Sequence, residues 1–313
     1  MVFSSMIFLW IFLPAVFLLS RCVREYRLQN LLLLAASLVF YAWGEPVYIL
    51  LLLFSVAMNY VFGILLDGET GSRRLWLALA VIGNLSLLGF FKYCNFFLHT
   101  LDRLLPWIRL PRVDISLPIG ISFFTFQAMS YVIDLYRGEY RAQKNILYLA
   151  LYISFFPQLI AGPIVKYREI ETQLVRRSAP AEKVAEGFRR FIYGLGKKVI
   201  ISNLLAISAD RIFSAPKDRV GFALSWCGAL FYTLQIYYDF SGYSDMAIGL
   251  GRMMGFSFPV NFDHPYTASS VAEFWSRWHI TLSRFFRDYV YIPLGGSRCK
   301  KTRAIFNMFI VFS

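Results

Sequence analysis

The run QIYYDFSGYSDMAIGLG, Gln235 to Gly251, sets Gln235, Asp239, Ser241, Tyr243, Ser244 and Asp245 inside or at the end of an otherwise apolar stretch. Ionisable side chains at membrane depth cost several kcal/mol each and are functional candidates for that reason. Asp239 and Asp245 are six positions apart, about 240° around a continuous helix, so both line one face only if the helix breaks, and Gly242 offers a break. Two readings stay open for the carboxylates. They belong to a functional site together with Gln235, Ser241, Tyr243 and Ser244, or they lie at a polar interface and hold helices together.

A second cluster follows. Ser270, Val271, Ala272, Glu273 is a capping-box pattern, and it predicts a helix from about Ser270 to Tyr289. On that helix Glu273, Arg277, Arg284 and Asp288 form one polar stripe, with Glu273–Arg277 and Arg284–Asp288 as i,i+4 pairs. His279 lies about 200° round from Arg277 and points toward Trp275 and Phe286, with Ser283 one turn on. Burial among aromatics keeps an imidazole neutral, the state a general base requires. The alternative is a hydrogen-bonded core histidine. Trp278 is a candidate substrate contact. Arg284, Arg287 and Asp288 are candidate substrate contacts, with anchoring at the surface as the other reading of the arginines. The helix stops at PLGG, Pro293 to Gly296, and a basic loop with Arg298, Lys300, Lys301 and Arg303 follows.

The elements that must position these groups are membrane helices. Of 313 residues, 58% are hydrophobic and 16% charged, against about 25% charged in soluble domains, which excludes an ordinary soluble enzyme. The aromatic fraction, 18%, excludes disorder. The net charge of +13 would point to nucleic acid in a soluble protein. Here the charge lies between apolar runs and fits loops facing an anionic cytoplasmic leaflet, so the bilayer is the expected partner and nucleic acid is not. Cys22, Cys94, Cys227 and Cys299 are scattered, and His99, His264 and His279 are too few and too distant to argue for a metal site.

Apolar stretches of spanning length run from Val2 to Ser20, Leu28 to Trp43, Pro46 to Leu66, Leu75 to Phe91, Ile115 to Leu135, Ile146 to Val165, and Val220 to Tyr238. The first ends in Arg21, Arg24 and Arg27, which makes it a retained helix with its N-terminus outside. Arg73, Arg74, Arg137, Arg141 and Lys144 then fit cytoplasmic loops, while Arg103, Arg109 and Arg112 fall outside, in conflict with the positive-inside rule. From Lys166 to Arg219 the chain is basic and amphipathic, and simple alternating spans do not account for it. FFPQLIAGP, Phe155 to Pro163, and LPIGISF, Leu117 to Phe123, carry Pro and Gly inside apolar runs, either as re-entrant breaks or as kinks between packed helices. The expectation is an all-α polytopic integral membrane protein with a multi-helix core and broken or re-entrant helices.

Four ordered blocks carry a resemblance: LPIGISFFTFQAMSYVIDLYRG (Leu117 to Gly138), LIAGPIVKY (Leu159 to Tyr167), YYDFSGYSDMAIGLG (Tyr237 to Gly251) and EFWSRWHITLSRFFRDYVYIPLGG (Glu273 to Gly296). Together with the opening MVFSS and the FYAW at Phe40 to Trp43, they make the whole chain resemble the membrane-bound O-acyltransferase family, in particular its bacterial alginate O-acetyltransferase branch. The resemblance implies one membrane-embedded acyltransferase domain over residues 1–313. It implies transfer of acetyl from acetyl-CoA or another acyl thioester, with no bound cofactor, toward hydroxyls of an exported polysaccharide. It also implies the bacterial inner membrane and partners in polysaccharide acetylation and export, including a periplasmic acetyltransferase. Two histidines are expected, one at His279 and a second, usually given the catalytic role, in a later Trp-His-Gly segment. No Trp-His-Gly occurs up to Ser313, so the expectation is a domain that is C-terminally incomplete and inactive alone. Transfer of D-alanine to teichoic acid, or of acetyl to another cell-envelope glycan, is the alternative within the family. A membrane transporter, which also uses broken helices and intramembrane carboxylates, is the alternative outside it.

Overall fold

A computed structural model describes residues 1–68, 72–104 and 115–312. Arg109 and Arg112, placed outside the membrane by the sequence, lie outside the described residues. In chain order the α-helices are α1 (Leu13–Cys22), α2 (Tyr26–Gly44), α3 (Ile49–Asp67), α4 (Arg73–Leu104), α5 (Ile121–Tyr136), α6 (Ile146–Ser154), α7 (Phe156–Leu159), α8 (Tyr167–Val175), α9 (Ala181–Gly196), α10 (Asn203–Phe213), α11 (Phe222–Met253), α12 (Val271–Arg277), α13 (Ile280–Phe286) and α14 (Lys301–Phe312). π-helical turns precede α1 (Phe8–Phe12), join α9 to α10 (Lys197–Ser202) and follow α13 (Arg287–Tyr291). No strand occurs among the described residues, so the all-α expectation holds.

Among the described residues, three helices are long and apolar enough to cross a membrane: Ile49–Asp67, Arg73–Leu104 and the continuous stretch Ala181–Phe213. The first two match predicted spans. The third corrects the sequence reading, in which Lys166 to Arg219 held no span. Its lysines had counted against it, but they are spent on ion pairs described below. The first predicted span is a shorter apolar helix, Phe8–Cys22.

The chain packs as two compact units. One comprises Leu33–Ile160 and Lys166–Arg168. In it α3 and α4 are clasped by reciprocal amide hydrogen bonds: Asn59 Nδ2 donates to Asn84 Oδ1 at 3.1 Å and Asn84 Nδ2 to Asn59 Oδ1 at 2.9 Å. Such pairs are the polar glue of membrane helices. The run Ile146 to Val165 is not one span here, because Phe155 leaves the helical conformation (φ −57°, ψ 114°) and α7 starts afresh with Pro157 in its first turn. The freed groups are recovered locally: Phe156 N donates to Ser37 Oγ (3.1 Å), and Gln158 Nε2 donates to Tyr152 O (2.6 Å). The LPIGISF break meets this one. Gly120 starts α5 at φ 79°, and a Cβ on it would sit 2.7 Å from Leu159 O, so only glycine serves there.

The other unit comprises Met1–Leu32, Ala161–Val165 and Glu169–Ser313. Its spine is the antiparallel pair α9 and α11. A Cβ on Gly194 would lie 2.5 Å from Gly242 O, and one on Gly242 would lie 2.8 Å from Gly194 O. One heptad away, Gly187 and Gly249 stand in the same reciprocal relation, at 2.7 and 2.6 Å. Small residues at these four points let the two backbones touch. α11 therefore runs unbroken through Gly242, and the break expected there is a close helix contact instead.

Gly194→Leu is expected to lower the melting temperature of the detergent-solubilised protein, since overpacking a tight contact costs about 1–3 kcal/mol. Gly196→Ala, where a Cβ meets nothing within 4 Å, should leave it unchanged or raise it. Equal melting of the two variants would contradict the packing.

Candidate active site

α11 sorts its polar groups between two neighbours. Asp245 accepts from Arg190 Nε at 2.9 Å and from Lys197 Nζ at 2.6 Å, while Asp239 is paired with Lys198 and lies 3.4 Å from Ser202 Oγ. The 240° separation is real, and adjacent Lys197 and Lys198, in the π-helical turn, reach one carboxylate each. Both carboxylates are thus held by cations of the α9–α10 stretch, which matches the helix-holding reading of the pair. The Gln235 Oε1, Ser241 Oγ and Ser244 Oγ atoms are buried without a hydrogen-bond partner among the described residues. Tyr243 stacks on Phe3 at 4.6 Å between ring centroids.

The predicted helix from Ser270 to Tyr289 is two helices. Its start is as expected: Glu273 N donates to Ser270 Oγ at 3.1 Å. The return arm goes one residue further back, with Ser269 N and Oγ both 2.8 Å from Glu273 Oε2. These bonds, Ser269 N–H foremost, hold the Glu273 carboxyl below the usual range. Glu273 pairs with Arg277 at 2.6 Å as expected. Asp288, however, accepts from its neighbour Arg287 (2.8 Å) in place of the predicted Arg284.

The break falls at Trp278, which is extended, and His279, which is left-handed at φ 43°. A non-glycine residue in that region needs a compensating hold. Asn261 supplies it. Its backbone carbonyl accepts from Ile280 N at 2.9 Å, and Asp263 N donates to Arg277 O at 3.0 Å. Its side-chain Oδ1 accepts from Thr281 N (3.2 Å) and Thr281 Oγ1 (2.8 Å), capping α13 from outside the helix, and lies 3.1 Å from His279 Nδ1. Thr281 Oγ1 in turn accepts from Ile164 N at 3.0 Å, which docks residues 161–165 of the same unit.

These contacts assign the histidine. The Thr281 amide can only donate, so the Asn261 atom facing it is the oxygen, and His279 Nδ1 must carry the proton. The free lone pair is then on Nε2. The ring is buried, edge-on to Phe240 at 4.7 Å and stacked on Phe262 at 6.3 Å. Burial pushes its pKa down to about 4, so it is neutral at pH 7, as the sequence reading required. Trp278 stands beside it against Phe274 (5.6 Å), Phe262 (5.1 Å), Tyr266 (6.0 Å) and Tyr237 (6.1 Å). His279 and Trp278 thus share one aromatic cluster with Tyr237 and Phe240 of α11. Arg284 is exposed, and Ser283 and Arg287 line a separate groove of about 590 Å³ with Trp275, Phe286 and α14. Asn261 and Thr281 were missed because nothing in NFDHPY marks one asparagine as an external cap.

The sequence profile of the membrane-bound O-acyltransferase family matches residues 80–313. The chain belongs to that family. It is 46% identical to the probable alginate O-acetylase of Pseudomonas aeruginosa, over 99% of this chain and 60% of that protein. It is 38% identical to the peptidoglycan O-acetyltransferase of Helicobacter pylori, over 100% of this chain and 65% of that protein. It is 31% identical to the teichoic acid D-alanyltransferase of Bacillus subtilis, over 56% of this chain and 45% of that protein. The chain thus spans about 60% of the alginate O-acetylase it matches. As a family member it is a membrane protein, in keeping with its apolar helices.

A histidine buried neutral stabilises the fold above its unfolded pKa, about 6.5, and that contribution is lost as pH falls through the folded value of about 4. Melting followed from pH 7 to pH 4 should show a decline that His279→Gln reduces; identical profiles for the two proteins would contradict the burial of a neutral ring.

Proposed function

We propose that the protein takes part in O-acetylation of an exported polysaccharide of the alginate kind, at the bacterial inner membrane, using acetyl-CoA or another acyl thioester as donor. The observation that carries this reading is 46% identity, over almost the whole chain, to a protein named as a probable alginate O-acetylase. In the reaction an acceptor hydroxyl attacks the thioester carbonyl, the C–S bond breaks, the thiol leaves, and the hydroxyl proton must be taken up. His279 Nε2 is the group assigned to that proton: neutral, oriented by Asn261, and walled by aromatic rings. A poor nucleophile gains about 10²–10⁴-fold from such a base.

Asp239 and Asp245 act in this scheme as positioning residues. Their ion pairs fix α11, which carries Phe240 to the imidazole. Gln235, Ser241, Tyr243 and Ser244 on α11, and Trp278, remain the proposed acceptor contacts, with Arg284 and Arg287 as outer contacts for an anionic donor or polymer and Asp288 as a further substrate contact. Partners in acetylation and export, including a periplasmic acetyltransferase, follow from the same reading. Acetyl transfer to peptidoglycan is the second reading, favoured by the Helicobacter pylori relative. The family offers no support for a transporter.

In membranes containing a chain that continues through the second histidine, labelled acetyl is expected to move from acetyl-CoA to alginate oligosaccharides in preference to peptidoglycan fragments, and residues 1–313 alone are expected not to support the transfer. His279→Gln should reduce the rate by about 10²-fold or more. Labelling of peptidoglycan alone would replace the acceptor, and an unaffected His279→Gln rate would remove the assigned base.

A further inference from the structure

The charged cluster of α9 and its π-helical turn has an outer side that the proposed chemistry does not use. Arg190, Lys197 and Asp245 line an open groove of about 660 Å³ together with Ile192, Ile200 and Ile201. Tyr193 lies beside it and is 72% exposed, and Ile200 is 64% exposed. Gly196 forms the floor, with nothing within 4 Å of where its Cβ would be.

Charge and depth say what fits. Two cations converge on one carboxylate, which leaves a single positive charge at the head of the groove. All three side chains are partly accessible, at 23%, 30% and 18%. Arg189 and Arg190 immediately precede residues 191–208, whose charges are Lys197 and Lys198 alone. Arg190 therefore marks the edge of the apolar run, and Lys197 lies seven residues, or about 10 Å, further in. A lysine at that depth extends its amine outward toward the interface, here back toward Arg190. The wall below is aliphatic and lies on a helix of membrane-crossing length. The groove thus presents one net positive charge at headgroup level above an apolar slot, and its backbone turn is π-helical, a distortion common at functional sites.

We propose that this groove is a binding site for one anionic phospholipid, its phosphate on Arg190 and Lys197 and an acyl chain along Ile192, Ile200 and Ile201. A phosphodiester monoanion matches the uncompensated charge, and a zwitterionic lipid leaves it unmatched. The site bears on the α9–α11 spine and is independent of which acceptor the enzyme uses.

Native mass spectrometry of the purified protein, exchanged into equimolar phosphatidylglycerol and phosphatidylcholine, tests this. The wild type should retain one phosphatidylglycerol in preference to phosphatidylcholine. Arg190→Gln should lower that retention about fivefold, the worth of one basic residue at a membrane surface. Gly196→Trp keeps both cations, enters open space, and should block the slot with no loss of melting temperature. Asp245→Asn, which frees both cations, should retain at least as much. Unchanged phosphatidylglycerol retention in folded Arg190→Gln or Gly196→Trp, or its loss in folded Asp245→Asn, would overturn the proposal.

Discussion

Backbone contact between α9 and α11 is the constraint on which the rest of the second unit depends. Glycines at 187 and 194 face glycines at 249 and 242, and each would drive a Cβ to within 2.8 Å of the opposite carbonyl. Because both pairs are one heptad apart on antiparallel helices, they fix a single register. That register delivers Arg190 and Lys197 to Asp245 and Lys198 to Asp239. In a low-dielectric setting an unpaired carboxylate or ammonium is costly, so glycine packing and ion pairing sustain each other.

The same helix sets the environment of His279. α11 carries Tyr237 and Phe240 into the aromatic shell, and the extended segment after it returns Asn261 to the break between α12 and α13. One amide oxygen then does three things: it caps α13, satisfies Thr281 and fixes the imidazole tautomer. The strained φ of His279 is the local cost of presenting Nε2 from a helix junction, a placement unavailable to a residue inside a continuous helix.

Much of this was legible from residue types. Helical class, the broken runs at Leu117 to Phe123 and Phe155 to Pro163, the Ser270 cap and the Glu273–Arg277 pair all follow from local chemistry, whereas the rings against His279 are Phe240 and Phe262 of other segments, where the predicted helix offered Trp275 and Phe286. What local chemistry could not give was long-range pairing. The lysines at 197 and 198 argued against a span because their partners lie over forty positions away on α11. The helix from Ser270 was extended through His279 because the asparagine that interrupts it belongs to another segment. Gly242 reads as a point where the helix can break because the backbone pressed against it is equally remote in sequence.

The central claim is the glycine-set register of α9 against α11, and a charge swap across it tests that claim most directly. Lys198→Asp and Asp239→Lys, alone and together, would be followed by thermal unfolding of the purified protein. The account expects each single variant to melt lower and the double variant to recover most of the loss, with a coupling of about 0.5–3 kcal/mol. Strictly additive losses would mean that the two side chains do not meet, and would contradict the register.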